Sequence, residues 1–424
     1  MNSFTTKLRL LWSNPDIRKR VGFLLVALLL FRLLANIPVP GIDPLRLQSF
    51  LETNQFLGLL NVFSGGGLSG LSMVMLGVGP YITASIILQL LTVMVPALKS
   101  MYHEEGQAGR RKFTQYARLL TVPLAIIQGF GFLTLLEQQQ VIGSLSLFDT
   151  FLNVVIIAGG SMLLTWIGEL ISEYGIGNGV SILIFAGIVA GLPTQVQQFV
   201  INFDATQAPT LLAFVIAAIL IVLGIVIVNE AIRPVPITHS RQVAGGRNIA
   251  NANSTLPLKL NQAGVMPIIF ALSILLFPQM IFNLLAGATL NPRWAQMSQI
   301  MNEFFNNLWL YGLVYFILVF LFTFFYTAIT FDIEETATNL QKQGAYVTGV
   351  RPGEQTESYL ERVMTRVTFI GALFLGLIAV LPIAMQAITG NQSLAIGGTA
   401  LLIVVAVVID LVKRLDAQAA MQQY

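Results

Sequence analysis

Residues that commonly carry chemistry are scarce in this sequence, and they are spread too widely to act together. The 424 residues include no cysteine, which excludes a thiol nucleophile, a disulfide and a thiolate metal site. His103 and His239 are far apart and lie in polar segments, so a histidine metal site is not expected. No H-E-x-x-H motif, pair of membrane aspartates or Walker loop is present. We therefore expect neither an enzyme nor a bound cofactor.

Ionisable side chains that would mark an ion or proton relay inside a membrane are also nearly absent from the apolar segments. Arg32 lies within the first segment. The carboxylates lie at or near segment ends: Glu169, Glu230, Asp332 and Asp410. The interior polar groups are neutral, and such groups usually hold helices together: Thr83, Gln89 and Gln128. A proton- or sodium-coupled carrier would need buried carboxylates, so this pattern counts against one.

The most informative pattern is a glycine-rich segment that leads directly into an apolar run. The segment reads Phe63-Ser64-Gly65-Gly66-Gly67-Leu68-Ser69-Gly70, and the run contains Gly77-Val78-Gly79-Pro80-Tyr81-Ile82. Irregular backbone at membrane depth must be covered by protein or line a water-filled cavity. A broken helix of this kind points to a transport pathway, although a flexible loop before an ordinary span explains the glycines equally well.

The elements that must position these residues are membrane-spanning helices. The chain is 55% apolar and 10% charged, whereas a soluble domain carries roughly 25% charged residues. A span needs about 20 mostly apolar residues. Ten segments meet this need: 21–38, 72–95, 118–137, 150–171, 178–194, 210–230, 263–286, 308–330, 367–388 and 394–412. The fifth is short, and the second begins in broken helix.

The distribution of basic residues predicts the orientation of these spans. Of the 23 lysines and arginines, 20 lie in one alternating set of loops and tails. Only Arg46 and Arg293 lie in the opposite loops, and Arg32 lies inside the first span. The positive-inside rule makes the crowded side cytoplasmic, with both termini on that side.

Ten spans also divide into two sets of five, as inverted halves do in many transport folds. We expect an N-terminal half over 1–194, an external hinge loop over 195–209 and a C-terminal half over 210–424. Two cytoplasmic loops, 231–262 and 331–366, are too long for plain connectors. Their basic residues fit either solvated, topology-setting charge or the docking of an anionic partner such as RNA or an acidic protein face.

Six motifs, in order across residues 15–414, resemble the SecY family, the channel subunits of bacterial protein-conducting translocons. They are Phe63-Ser64-Gly65-Gly66, Gly79-Pro80-Tyr81-Ile82-Thr83-Ala84-Ser85-Ile86-Ile87, Gly175-Ile176-Gly177-Asn178-Gly179, Leu256-Pro257-Leu258-Lys259 leading into Ala263-Gly264-Val265-Met266-Pro267, Gly349-Val350-Arg351-Pro352-Gly353, and Gly397-Gly398-Thr399. Thr348 departs from the family, which more often has proline there, and the tip of loop 231–262 is less basic than in many members. Both departures bear on partner docking.

The resemblance implies an all-α integral membrane protein, with ten transmembrane helices in two inverted five-helix halves around a central hourglass pore. The constriction ring of that pore would be Val78, Ile82, Val180, Ile184, Ile269 and Ile403. An apolar ring blocks ions by dewetting while it is empty. Its flexible side chains make no fixed polar bonds, so they can fit around any passing polypeptide.

The resemblance also implies a plug and a lateral gate. The plug would lie near 60–71, with Phe63, Ser64, Gly65, Gly66 and Gly67 at its core. The gate would open between spans two and three on one side and spans seven and eight on the other. Its facing residues would be Thr83, Gln128 and Phe277. The apolar core of a signal peptide would partition into lipid there.

By the same resemblance, Arg241 and Arg351 would dock the SecA ATPase or the ribosome. SecE and SecG homologues would complete a heterotrimer, signal peptides and nascent chains would be the cargo, and SecDF and YidC are further candidate partners. The expected location is a bacterial cell (inner) membrane, crossed many times, with a thylakoid membrane as the alternative.

Two other classes of function stay open at the level of sequence. A secondary transporter for a small solute would explain the broken helix and the two halves. However, the sequence lacks the carboxylates within the membrane that such a carrier would need. A structural membrane scaffold would leave both the broken helix and the placement of the basic loops unexplained.

Overall fold

The computed structural model describes residues 15–40, 61, 64, 66–68, 70–103, 105–138, 140–143, 145–201, 208–239, 254–288, 292–389 and 392–421. Most of these residues are helical. The helices up to the middle of the chain are α1 Pro15–Ala35, α2 Gly79–Met94, α3 Pro96–His103, α4 Gly106–Gln138, α5 Leu147–Tyr174, α6 Gly179–Ile201 and α7 Ala208–Glu230.

The second part of the chain adds three short strands to its helices. The elements in order are β1 Ile232–His239, β2 Ser254–Lys259, α8 Met266–Ala288, α9 Pro292–Asn306, α10 Leu308–Thr330, α11 Ile333–Lys342, β3 Ala345–Val347, α12 Glu354–Thr389 and α13 Gln392–Met421.

Each of the ten predicted spans contains a helix. Four described stretches are long and apolar enough to cross a membrane by themselves, and α2 with α3 forms a fifth if the bent pair is one span. The four are 106–137, 147–174, 308–342 and 354–387. Helix α6 continues to Ile201, into the predicted hinge loop at 195–209, while residues 202–207 lie outside the described part of the chain. The boundary between the two halves therefore stays a prediction.

The second span is broken at both ends. The described residues from 66 to 78 form turns, and helix begins only at Gly79, as the glycine pattern predicts. At its other end, α2 bends by 114° into α3. Val95 is extended there, with φ −114° and ψ 105°. The following Pro96 disfavours helical backbone in the residue before it, which accounts for a bend that the sequence analysis did not anticipate.

The two long loops contain a three-stranded antiparallel sheet that the sequence analysis also missed. Its order is β2-β1-β3, with Ile232 opposite Lys259 and His239 opposite Ala345. Prolines are unusual within strands because they have no N–H to donate. Pro234 faces Pro257, so these two residues form a non-hydrogen-bonded pair of the β1–β2 ladder. Pro236 lies two residues further along β1 and therefore also occupies a non-hydrogen-bonded position. Strand β3 pairs only with residues 237–239, beyond both prolines, so neither missing N–H interrupts the sheet.

Four apolar clusters are found among the described residues, and the smallest joins α2, α3 and α4 around Leu88, Phe113 and Ala117. The largest joins residues of both halves, from Ala27 near the start to Val407 near the end. A second cluster joins the segment before α2 to the end of α4 and to α5. In the third, Val235, Leu258 and Val347 of the sheet pack on α12. The two long loops are therefore one packed unit, because burial of these apolar side chains stabilises the sheet against the helix.

Candidate functional site

The two halves meet at three pairs of helices among the described residues. Helix α8 packs against α2 and α4, and α13 packs against α6. The six predicted ring residues lie close to these contacts. Val78 precedes α2 and Ile82 lies in its first turn, Val180 and Ile184 lie in the first two turns of α6, Ile269 lies in the first turn of α8, and Ile403 lies on α13.

The structure brings all six ring residues into one apolar cluster. Five of them are buried, from 1% exposed at Ile403 to 8% at Ile82, and the half-buried Val180 packs against the cluster. The spacing of four residues within α6 and across the start of α2 puts each pair on one face of its helix. Residues separated by more than 300 positions in the sequence thus lie in the same apolar cluster, called here the ring cluster.

Close contacts fix the backbone that carries the ring residues on α2 and α6. Gly77 has φ +58°, a conformation that suits glycine, and its carbonyl accepts a hydrogen bond of 2.9 Å from Ser161 Oγ. At the start of α6, Gly179 donates its N–H to Ser172 Oγ at 2.8 Å. A Cβ on Gly179 would overlap the carbonyl of Gly168. The glycines therefore allow the ring-bearing backbone to pack tightly against α5.

The predicted plug is described in part, since Phe63 and Gly65 lie outside the described residues. Leu68 donates its N–H to Ser64 Oγ at 3.1 Å, and Gly66 has φ +79°. The segment is anchored at residues 71–73, because Val39 N–H bonds to the Leu71 carbonyl at 2.7 Å and Met73 N–H bonds to the Ile37 carbonyl at 3.0 Å.

Apolar contacts reinforce this anchor. Leu68 and Leu71 are fully buried in the second cluster, against Phe132, Leu136 and Ile142 around the end of α4. The sequence analysis singled out the glycines and missed these two leucines. Their place in an apolar run next to the glycines was the signal available, but nothing in the sequence identifies residues near the end of α4 as their partners.

The predicted gate residues lie on helices that touch. Thr83 on α2 and Gln128 on α4 are both buried, and Thr83 Oγ1 donates to the Gly79 carbonyl at 3.0 Å. The side chain of Phe277 lies outside the described set, although its helix α8 contacts α2, α4 and α10.

The predicted docking residue Arg351 is exposed in a turn between two glycines. Gly349 and Gly353 have φ +84° and +99°, a region that favours glycine over other residues. Thr356 Oγ1 donates to the Arg351 carbonyl at 2.9 Å, which pins the turn to the start of α12. Arg241 lies outside the described residues. The turn follows β3 directly, so the sheet places Arg351 beside the hairpin of β1 and β2.

A cavity of about 270 Å³ with mixed polar and apolar walls, called here the mouth cavity, lies on the predicted cytoplasmic side. The starts of α6 and α8, the ends of α7 and α10 and the middle of α13 line it. Its floor includes Ile182, Met266 and Val407, which belong to the ring cluster or pack on it. The sequence analysis did not identify this cavity, because its polar walls come from five separate segments.

Polar bonds at the rim of the mouth cavity tie three elements together. Lys413 Nζ on α13 lies 2.8 Å from Glu230 Oε1 and 3.1 Å from the Asn229 carbonyl, both at the end of α7. Asn261, just after β2, donates from Nδ2 to Asn229 Oδ1 at 2.8 Å. We call this set the clasp. It joins the base of the hairpin to α7 and α13.

The rest of the described chain offers no competing chemical centre. Among the residues that the structure describes, no group of three or more histidine, cysteine, aspartate or glutamate side chains is arranged to hold a metal ion. Glu169 pairs with Arg118 at 2.6 Å, and Asp410 pairs with Arg414 at 2.8 Å.

Comparison with known proteins gives consistent matches. The family model described as SecY matches residues 72–412. The protein translocase subunit SecY of Corynebacterium glutamicum is 37% identical, with 97% of each chain covered. That of Synechocystis is 40% identical over 96% of this chain and 93% of its own.

Solved structures share the fold at lower identity. A protein-conducting channel matches with a TM-score of 0.63 and 19% identity, covering 94% of this chain and 91% of its own. A SecY structure described by the role of its plug domain in the closed state matches at 0.64 and 18%, covering 95% and 92%. Sec61 from a canine ribosome–channel complex matches at 0.60 and 18%, covering 94% and 91%.

Proposed function

The chain belongs to the SecY family, and from this premise we propose that it is the central pore-forming subunit of a protein translocon. It conducts unfolded secretory polypeptides across the membrane and releases transmembrane segments sideways into lipid. The subunit is a passive channel without catalytic activity of its own, and a motor or a translating ribosome supplies the drive.

The observation that carries this proposal is the burial of the six ring residues in one cluster where the halves meet. An aliphatic constriction excludes ions while it is closed, and it can yield to any side chain because it makes no directional bonds. Fixed polar readout would restrict the cargo to particular sequences, which does not suit a general export channel.

The plug and the gate complete the proposed cycle. The plug segment leaves its apolar seat near the end of α4, while the anchor at residues 71–73 stays paired with residues 37–39. Signal peptides then enter between α2 and α4 on one side and α8 and α10 on the other, and Thr83, Gln128 and Phe277 are the proposed gate residues. The apolar cores of the signal peptides gain free energy in lipid, by about 0.3–0.6 kcal/mol for each leucine-type residue.

The sheet unit is the proposed docking platform. The exposed Arg351 contacts the SecA ATPase or the ribosome, since an exposed cation suits anionic partners, and Arg241, in the chain segment between β1 and β2, shares this role. SecE and SecG homologues complete the complex, with SecDF and YidC as accessory partners. The proposed location is the bacterial cell membrane, with both termini in the cytoplasm.

Ring substitutions test the function directly. In membrane vesicles, Ile403→Asn should raise ion conductance and allow export of precursors with defective signal sequences, because an amide keeps water in the constriction. Val408→Asn, on the same helix but 42% exposed, is the matched control and should change neither. Equal ion leak and equal export selectivity in wild type, Ile403→Asn and Ile82→Asn would contradict the ring.

A further inference from the structure

Helix α9, which lies between the end of α8 and the start of α10, has an apolar face from its first turn to its last. The start of α8 and the end of α10 line the mouth cavity, so α9 lies at the opposite, predicted external end of the bundle. Its apolar side chains recur at intervals of three and four residues, which places them on one side of the helix: Trp294, Met297, Ile300, Met301 and Phe304. The polar side chains of Gln296, Gln299 and Glu303 fall on another side.

Aromatic contacts fix α9 to the bundle at both of its ends. The ring of Trp294 stacks with that of Phe282 on α8, with 6.3 Å between their centroids. The ring of Phe304 meets Tyr311 on α10 edge to face, also at 6.3 Å. Aromatic pairs attract each other in both arrangements. The helix is therefore held against α8 at its start and against α10 at its end.

The middle of the apolar face is left uncovered. Met297 is 38% exposed and Ile300 is 53% exposed, and they are the exposed large apolar residues among the described side chains of α9. A specific protein partner would bury about 800 Å² on each side of an interface, which is far more than two partly exposed side chains offer. The width of the uncovered strip therefore argues against a protein as its occupant.

The start of α10 fixes the depth at which this strip lies. Helix α10 belongs to a stretch that is long and apolar enough to cross a membrane. Trp309 in its first turn is 71% exposed, and exposed tryptophans concentrate at the boundary between membrane and water. Asn307 is the single residue between α9 and α10. The last residue of α9 thus lies within about 8 Å of the first residue of the span, since consecutive Cα atoms are about 3.8 Å apart.

The exposed face of α10 shows that lipid begins at this level. Its exposed apolar side chains recur at intervals of three and four residues down the helix: Leu310, Leu313, Ile317 and Leu321. In a helix that crosses the membrane, such a row contacts lipid. An uncovered apolar strip at the same end of the bundle has the same nearest apolar solvent.

The charges of α9 indicate which part of the lipid it recognises. The helix contains one cation and one anion, Arg293 and Glu303, so its formal charge is zero. Attraction to anionic headgroups would require a basic helix. We propose that α9 is an interfacial helix that inserts Met297 and Ile300 into the bilayer leaflet opposite the mouth cavity, at the boundary between headgroups and acyl chains.

This lipid contact goes beyond the proposed function, because neither conduction nor partner docking uses α9. It gives α9 a lipid surface as its partner and makes apolar burial, not lipid charge, the source of the binding. Helices α8 and α10 are also the second side of the proposed gate. The insertion of α9 therefore ties the outer ends of both helices to the membrane surface.

The test uses the complete complex in vesicles, with one fluorescent reporter attached to a single cysteine, since the chain contains none. The reporter positions are Met297→Cys and Ile300→Cys. The exposed Gln299→Cys on the polar side is the control for water, and Ile317→Cys, 45% exposed in α10, is the control for hydrocarbon. Each reporter is exposed to iodide on both sides of the membrane, to lipids with a nitroxide at the headgroup, and to lipids with a nitroxide at the end of the acyl chain.

Reporters at Met297→Cys and Ile300→Cys should lose most of the iodide quenching seen at Gln299→Cys, and the headgroup nitroxide should quench them most strongly. Ile317→Cys should respond most to the nitroxide at the end of the acyl chain. Vesicles of phosphatidylcholine alone and vesicles that also contain phosphatidylglycerol should give the same result, because α9 has no net charge. Adding Met297→Asn should restore iodide quenching at Ile300→Cys, whereas adding the matched Gln296→Asn should not.

Three outcomes would overturn the lipid contact. Iodide quenching at Ile300→Cys equal to that at Gln299→Cys would place the strip in water. Protection from iodide and from both lipid quenchers would show that a protein covers it. Quenching by lipid that requires phosphatidylglycerol would show recognition of headgroup charge in place of apolar insertion. None of these measurements depends on transport, so each failure would leave the proposed channel function unaffected.

Discussion

Because Gly160 on α5 has no side chain, the turn-forming segment before α2 can pack closely against this helix. A Cβ at Gly160 would overlap the carbonyl of Met73, whereas a Cβ at the neighbouring Gly159 would meet nothing within 4 Å. The turn-forming segment before α2 can therefore lie against α5 only because position 160 is glycine.

This difference predicts opposite effects of the same substitution at adjacent positions. Gly160→Ala should destabilise the folded channel by about 1–3 kcal/mol, since the backbone must shift to relieve the overlap. Gly159→Ala should leave stability unchanged or raise it by up to about 1 kcal/mol, because alanine favours helix. Thermal unfolding of the purified channel in detergent measures both, and a lower melting temperature for Gly159→Ala than for Gly160→Ala would contradict the packing.

Arg351 provides a second test at the scale of one residue. Arg351→Glu should reduce motor-driven transport at least tenfold while the protein still inserts, because it reverses the charge of a side chain held out by a fixed turn. Arg362→Glu, also exposed and on α12, is the matched control and should transport normally. The measurement is the transport rate in vesicles that contain equal amounts of each channel variant. A normal rate for Arg351→Glu would show that this residue does not dock the motor.

At the scale of elements, the clasp links the sheet unit, the proposed docking platform, to the helices around the mouth cavity. Lys413 on α13 reaches Glu230 and the last turn of α7, where exposed carbonyls favour a cation. The neighbouring Arg414 pairs with Asp410 of its own helix. Two adjacent cations, the half-buried Lys413 and the exposed Arg414, therefore form different ion pairs, one between elements and one within an element.

Neutralising each cation should separate these roles. Lys413→Met should lower transport two- to fivefold, consistent with loss of about 1 kcal/mol for a partly exposed ion pair, while partner binding to the platform is kept. Arg414→Met should leave transport unchanged. Binding and transport are measured on the same vesicles. A parallel loss of binding and transport in Lys413→Met would indicate a folding defect of the platform instead of weaker coupling.

At the scale of the molecule, the predicted orientation can be checked by labelling, since the chain has no cysteine. Gly143→Cys lies in open space between α4 and α5, and Gln355→Cys is exposed near the start of α12. A maleimide that does not cross membranes should label Gly143→Cys in intact cells and Gln355→Cys only after permeabilisation. Labelling of Gln355→Cys in intact cells would reverse the orientation given by the basic loops.

Much of the architecture is encoded locally and could be predicted from the sequence. The ten helical segments follow from runs of apolar residues, because each run must be long enough to cross the hydrocarbon layer whatever its neighbours are. The break before α2 follows from glycines whose backbone freedom is intrinsic. The pattern of basic loops is likewise a property of each loop, independent of how the helices pack.

Tertiary structure alone decided which distant residues meet. Ile237 faces Val347 across β1 and β3, and Leu71 packs near the end of α4, because burial of apolar area rewards complementary shapes that no single segment specifies. The orientation of the Asn261 side chain is likewise decided only by tertiary contacts, since its Nδ2 donates to Asn229 Oδ1 and to the Gly264 carbonyl. Composition and spacing determined that the chain crosses the membrane many times, and packing determined which aliphatic and polar groups of distant segments lie together.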